Sequence, residues 1–343
     1  MHPSPAKYGP SCLTVVPTFR CTAACANCCF GSHPWVEGRI PQPEILRYIR
    51  EAADMETIKL VVFTGGECFL LGRDLVEATQ LANDLGFMTR CVTNGYWASS
   101  VRAAQKTLEP LVRAGLTDIN FSTGDNHADF VPVENILYGV HAARKFGLTT
   151  AIMVELTEKR RVTKETLLNN AQFSDLFDST EPIEFSIQES AWISMDEGHE
   201  RVTYDQEHLT NRETLATKRG CDSILSTIVA TPQRELFACC GITSEQIPEV
   251  KLGHLDSASM KDMYEVASKD FLKMWLAVDG PEKIVAWASQ FDPTIVWENR
   301  FAHQCETCQF MYQDVKVRDV IRQHYKSVAG DVLLKYSMLR AQT

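Results

Sequence analysis

Cys21, Cys25 and Cys28 form a Cys-x3-Cys-x2-Cys loop directly after an apolar run. Three thiolates on one loop can hold three corners of a [4Fe–4S] cube and leave the fourth iron open to a chelating ligand. Zinc normally takes four ligands, usually from two Cys-x2-4-Cys arms, so here it would need a fourth donor, for which Cys29 is available. One βα unit later, Thr64-Gly65-Gly66-Glu67 closes the apolar run Leu60–Phe63. Two glycines let backbone approach a ligand closely, and the Glu offers a carboxylate to an ammonium group. A lone Gly-Gly-Glu carries little information; behind the cysteine loop it points to a shared site.

Those residues must be held by a scaffold, and the first half of the chain supplies one. Short β-branched runs alternate with amphipathic segments, the pattern of consecutive βα units around a parallel sheet. Strands are predicted at Leu13–Phe19, Lys59–Phe63, Met88–Val92, Asp118–Ser122, Thr149–Glu155 and Ile183–Ile187. Helices are predicted near 43–54, 73–85, 99–114, 133–146 and 163–177. Pro41 and Pro43 suit a first helical turn, and Gly86, Gly115 and Gly147 suit helix ends. The fold class expected is therefore α/β, a partial (β/α)6 TIM-like barrel over residues 1–190. A polar linker (191–220) follows. Beyond it, Ile224–Ala230 and Glu235–Ala238 flank Thr231-Pro232-Gln233-Arg234 and read as a hairpin. Helical patterns near 257–277 and 282–290 precede Cys305-x2-Cys308, and a charged amphipathic helix (311–343) ends the chain; residues 221–310 are expected to form a small hairpin-plus-helix unit.

With cysteine loop and Gly-Gly-Glu in this order, residues 11–190 resemble the radical S-adenosylmethionine (SAM) superfamily. The resemblance implies that Cys21, Cys25 and Cys28 hold a [4Fe–4S] cluster whose open iron binds the amino and carboxylate groups of SAM. It further implies that Gly65, Gly66 and Glu67 hold the methionine amino group, and that Asn94, Ser122 and Asp125, at later strand ends, meet the ribose and methionine carboxylate. Such polar residues equally suit caps of the following helices. Asn27 stands where the family usually has an aromatic residue, with Phe30 two positions after Cys28. Cys12, Cys29, Cys68 and Cys91 read as packing residues, since free Cys behaves as a small hydrophobe.

Cys221, Cys239-Cys240 and Cys305-x2-Cys308 make up a second set. Four soft ligands suit tetrahedral zinc or a fully ligated [4Fe–4S] cluster, and the sequence leaves both open. The arrangement resembles the twitch extension of some radical SAM enzymes, the short form of the SPASM domain. That resemblance implies Cys221, Cys239, Cys305 and Cys308 as ligands of one auxiliary [4Fe–4S] cluster. Adjacent strand residues face opposite ways, so Cys239 and Cys240 do not readily serve one cluster together. Cys240 is then surplus, unless it is the ligand and Cys239 packs. In radical SAM epimerases a cysteine thiol delivers a hydrogen atom to the face opposite the one attacked, and the double cysteine resembles that of epimerases acting on ribosomally made peptides.

Composition sets outer bounds. The chain has 343 residues, 45% hydrophobic and 23% charged, and a formal net charge of −10. Such a surface argues against a nucleic-acid binder, and no Lys/Arg run exceeds Lys159-Arg160-Arg161. No signal-peptide core and no apolar window near 18 residues is present, so a cytoplasmic protein without a membrane partner is expected, its clustered cysteines serving metal binding or catalysis rather than disulfides. The leading expectation is inversion of an amino-acid Cα in a peptide, with Cys240 as hydrogen-atom donor and a flavodoxin or ferredoxin as reductant. An oxidising or cross-linking enzyme acting on a peptide, sugar or aminocyclitol, with the auxiliary cluster as electron acceptor, is the alternative. A zinc-binding non-enzymatic module is a remote one. His127, Trp192 and His199 are unranked candidates for the pocket.

Overall fold

A computed structural model describes residues 9–170, 184–193 and 203–341. Six parallel strands carry the first half: β1 (Cys12–Val15), β2 (Leu60–Phe63), β3 (Met88–Thr93), β4 (Asp118–Thr123), β5 (Thr149–Leu156) and β6 (Phe185–Ala191). Between them run α1 (Gln42–Ala53), α2 (Arg73–Asp84), α3 (Val101–Arg113), α4 (Val133–Lys145) and α5 (Lys164–Leu168). α1 shows why these segments are helical and where they sit. Its buried residues Ile45, Tyr48, Ile49 and Ala52 recur at the spacing of one helical face, which closes against the outside of the sheet. This is the partial TIM-like α/β barrel that the alternating pattern predicts. The predicted helix near 163–177 and strand Ile183–Ile187 each lie partly outside the described residues, as does His199.

The sheet continues past the sixth unit. Its strand order is β6-β5-β4-β3-β2-β1-β7-β8-β9, with β7 (Thr227–Ala230) parallel to β1, and β8 (Glu235–Phe237) and β9 (Lys251–His254) antiparallel. The hairpin is thus continuous with the barrel sheet. Among the described residues β6 and β9 are the edges, so the sheet they bound is open.

Helices then pack behind the hairpin: α6 (Met260–Ala267), α7 (Phe271–Ala288), α8 (Gln304–Gln313), α9 (Val315–His324) and α10 (Ala329–Ala341). The gap expected between residues 277 and 282 is a kink inside α7, where Gly280 takes φ 78° and ψ 162° ahead of Pro281. An interruption absent from the sequence reading falls at Asp270, whose carboxylate accepts from the backbone N–H of Leu272 and Lys273 and starts α7 afresh. Cys305 and Cys308 lie one turn apart on α8, hence on one face. Among the described residues no helix is long and apolar enough to cross a membrane.

Candidate functional site

Strand side chains alternate between the two faces of the sheet. Leu13 and Val15 of β1 are fully buried, whereas Cys12, Thr14 and Val16 look into the barrel. There they line a cavity of about 490 Å³ that also meets the cysteine loop, Gly65, Gly66, Asn94, Ser122, His127, Trp192 and Cys240. Cys12, read as a packing residue, is therefore a wall residue of the cavity. Burial pushes its thiol up to about 11.

The loop leaving β1 is seated on the Gly-Gly pair. The Gly66 N–H donates to Thr18 O at 2.9 Å, and the Glu67 N–H to Arg20 O at 3.0 Å. A Cβ on Gly66 would sit 2.2 Å from Arg20 O, and one on Gly65 2.5 Å from Thr18 O. Gly65 also holds φ 106°, a backbone state that L side chains rarely adopt. The glycines thus admit the cysteine loop itself, a closer partner than the ligand for which the sequence suggested them.

A second clasp fixes the other end of the loop. The Asn27 carboxamide donates to Glu155 Oε1 at 2.9 Å, and Asn126 reaches the same carboxylate through its side chain at 2.6 Å and its N–H at 3.1 Å. Asn27 and Glu155 are buried. Asn27, the departure from the family pattern, is therefore a polar anchor tying the residue before Cys28 to the end of β5. Sequence reasoning missed Glu155; its signal was a single acid closing the apolar strand Thr149–Leu156.

Around the three thiols the donors are local. The Ala23 N–H and Asn94 Nδ2 approach Cys21 Sγ at 3.4 and 3.5 Å, the Ser32 N–H approaches Cys28 Sγ at 3.3 Å, and His127 Nδ1 lies 3.6 Å from Cys25 Sγ. Burial lifts the Cys21 thiol to about 11 and the Cys25 thiol to about 12, and neighbouring thiols push both the same way. Buried protonated thiols of this kind are relieved by a cation, which takes them as thiolates. Burial lowers His127 to about 4, so it stays a neutral ring, edge-on to Trp192 with centroids 4.4 Å apart.

Two expected ligand contacts are placed elsewhere. The Glu67 carboxylate does not line the cavity. It is buried, and accepts from Phe69 N–H at 3.0 Å, Asn94 N–H at 2.9 Å and Thr93 Oγ1 at 3.0 Å. Burial drives it up to about 7 against the pull of those donors. Its side chain joins the ends of β2 and β3, so of the motif Thr64, Gly65 and Gly66 face the cavity. Asp125 also points away, accepting from Arg161 N–H at 3.0 Å and Val162 N–H at 2.8 Å; these bonds and the Arg161 guanidinium hold it below the usual carboxylate range. Asn94 and Ser122 do line the cavity.

The second cysteine set converges between the hairpin and α7–α8. An added Cβ on Gly241 would lie 3.2 Å from Cys305 Sγ and 3.6 Å from Cys239 Sγ, so a side chain there would intrude on the thiols. Cys239, Cys305 and Cys308 are pushed up by burial and by mutual proximity, and the field of Cys221 adds to all three. Near them, Glu282 Oε2 and the Tyr312 hydroxyl are buried without a hydrogen-bond partner. Tetrahedral zinc with Zn–S near 2.3 Å draws its sulfurs to about 3.8 Å apart. Among the described residues, the three ligand atoms that lie mutually within 4.8 Å are those of Asp205, Glu207 and His208, not of either cysteine set.

Cys240 parts from its neighbour. It is exposed to the cavity, its N–H donates to Ser223 Oγ at 3.0 Å, and its Sγ lies 3.2 Å from the same hydroxyl. The pairing of Val229 with Phe237 puts Cys240 level with the start of β7, whereas the cysteine loop leaves the far end of β1, which runs parallel to β7. The cavity lies between the two. Ser223 was not singled out in the sequence, where nothing marks it beyond its place two residues after Cys221.

Comparison with known proteins agrees with this geometry. Residues 15–158 match the model of the radical SAM superfamily. YydG of Bacillus subtilis (strain 168), a protein named for peptide biosynthesis, is 25% identical over 221 residues, which is 64% of this chain and 66% of that protein. Among solved structures, native anSMEcpe with bound AdoMet and Cp18Cys peptide shares the fold with a TM-score of 0.54 at 12% identity, covering 96% of this chain and 99% of that one. Streptococcus suis SuiB bound to S-adenosylmethionine gives a TM-score of 0.54 at 15% identity, over 82% and 75% of the two chains. The family match spans the cysteine loop, the seated glycines and strands β2 to β5, so residues 15–158 are similar to a radical SAM domain.

Proposed function

We propose that the chain is a radical SAM peptide epimerase that inverts an amino-acid Cα, with Cys240 as hydrogen-atom donor. One observation carries the reading: Cys240 stands on the wall of the cavity that the SAM-cluster loop also lines, while Cys239 beside it turns to Cys305. The resemblance to YydG, named for peptide biosynthesis, and the fold shared with anSMEcpe, whose structure holds a peptide, support a peptide substrate.

In this reading Cys21, Cys25 and Cys28 hold the SAM-binding [4Fe–4S] cluster, and Gly65, Gly66, Asn94 and Ser122 face SAM. Cys221, Cys239, Cys305 and Cys308 hold one auxiliary cluster in the unit 221–310. SAM and its cluster, when bound, supply a 5′-deoxyadenosyl radical that removes one substrate hydrogen. Cys240 then acts from the other side of the cavity. Its S–H bond breaks as the new Cα–H bond forms, leaving a thiyl radical. A flavodoxin or ferredoxin supplies one electron for the cleavage of SAM and a second that, with one solvent proton, restores the thiol. The Ser223 hydroxyl holds the thiol in place, and the barrel walls exclude water.

Reaction in deuterated water with a candidate peptide tests this. A mass gain of one deuterium, located at an inverted Cα, is expected; a Cys240→Ala variant that still makes the D-residue defeats the assignment. A product lighter by two hydrogens would favour the alternative, in which a peptide or aminocyclitol is oxidised or cross-linked.

A further inference from the structure

Among the described residues the cavity wall carries one acidic side chain, Glu245, and no described cation or donor meets its Oε1. Its Oε1 is buried and accepts no hydrogen bond. Its neighbours make matters worse: burial and the field of Glu235 both push the carboxyl up, and no cation pairs with it in the described structure. Arg90, also on the wall, pairs with Asp118 at 2.9 Å, and its charge is not among those acting on Glu245. Glu245 sits in a short 3-10 turn (Ser244–Gln246) five residues past Cys240, close enough to Cys29 for its charge to act on that thiol, and so beside both the hydrogen-donor segment and the cysteine loop. A buried carboxylate oxygen without a protein donor is costly, and a ligand that supplies the donor offsets that cost.

We infer that Glu245 is the anionic anchor of the substrate site and receives a protonated amine of the substrate. The inference rests on the reading that this cavity holds the substrate, and it adds a chemical requirement: a cation near the reacting carbon. A lysine side chain of a peptide and the amine of an aminocyclitol share that chemistry. Glu245 acts here as a specificity determinant and takes no part in the hydrogen transfer.

Binding separates this from turnover. The full chain with its clusters, saturated with SAM, is titrated with two matched probe pairs: acetyl-lysine N-methylamide against acetyl-norleucine N-methylamide, and cyclohexylamine against cyclohexanol. The amine of at least one pair should bind wild type about tenfold or more tightly than its neutral partner, as a charge-assisted hydrogen bond requires, and Glu245→Gln should remove the preference. Preference in the first pair identifies a lysine-type source, and preference in the second an aminocyclitol. Equal binding within both pairs to wild type overturns the inference whether or not the variant folds; so does a preference that survives Glu245→Gln. A Cys240→Ala protein should keep the preference, so failure of the epimerase reading leaves this result distinct.

Discussion

Replacing Asn27 by Leu removes one of three hydrogen bonds to the Glu155 carboxylate and leaves the volume nearly unchanged. A hydrogen bond to a charged group contributes about 1.5–3 kcal/mol, and here the acceptor stays buried at 1% exposure, so solvent cannot replace the lost donor. The expected destabilisation is about 2 kcal/mol. With an unfolding entropy of about 2.1 cal/mol/K per residue over 343 residues, that lowers Tm by about 3 °C. Thermal melting of the cluster-free protein measures it. Because Asn27 immediately precedes Cys28, the same change should alter the EPR g-values of the reduced N-terminal cluster with SAM bound. Unchanged melting together with an unchanged spectrum would refute the claim that Asn27 and Glu155 hold the loop.

Other sites give shorter tests. Gly66→Ala places a Cβ 2.2 Å from Arg20 O, a backbone atom that can yield only if the loop moves; about four of eight irons should be lost, and full iron content would contradict the seating. Glu67 is raised from 4.5 to about 7, so its contribution is fully present below pH 4.5 and is lost as pH rises through 7, by about 3 kcal/mol. Urea midpoints should therefore fall more steeply over that window in wild type than in Glu67→Gln, and parallel slopes would count against the burial argument. Ser223→Ala should lower the ratio of inverted product to 5′-deoxyadenosine about fivefold, the value of one neutral hydrogen bond, with Ser223→Thr restoring it; an unchanged ratio removes Ser223 from positioning the thiol.

The sequence carries what is local. Apolar alternation locates β1 to β5, and the cysteine spacing marks the loop, because both are set by neighbours a few residues away. What it hides depends on distant partners. Glu67 looks like a ligand until Thr93 and Asn94, 26 and 27 residues on, are seen to take its carboxylate. Asp125 is claimed by Arg161 and Val162, 36 and 37 residues away. Cys12 sits in a strand too short for its two faces to be told apart by composition, so its place on the cavity wall needed the register with β2 and β7. The continuity of the hairpin with the barrel sheet is likewise a pairing of β1 with residues more than 200 positions later. Glu245 stands in a polar turn where an acid is unremarked, and only the cavity gives it meaning.

The division of labour between adjacent thiols is the central claim, and metal content of three anaerobically purified proteins tests it most directly. Wild type and Cys240→Ala should each hold about eight irons and eight sulfides, and Cys239→Ala about four of each, since two cubes supply that count. Loss of half the iron in Cys240→Ala with full content in Cys239→Ala would reverse the assignment, and a colourless wild type carrying zinc would end it.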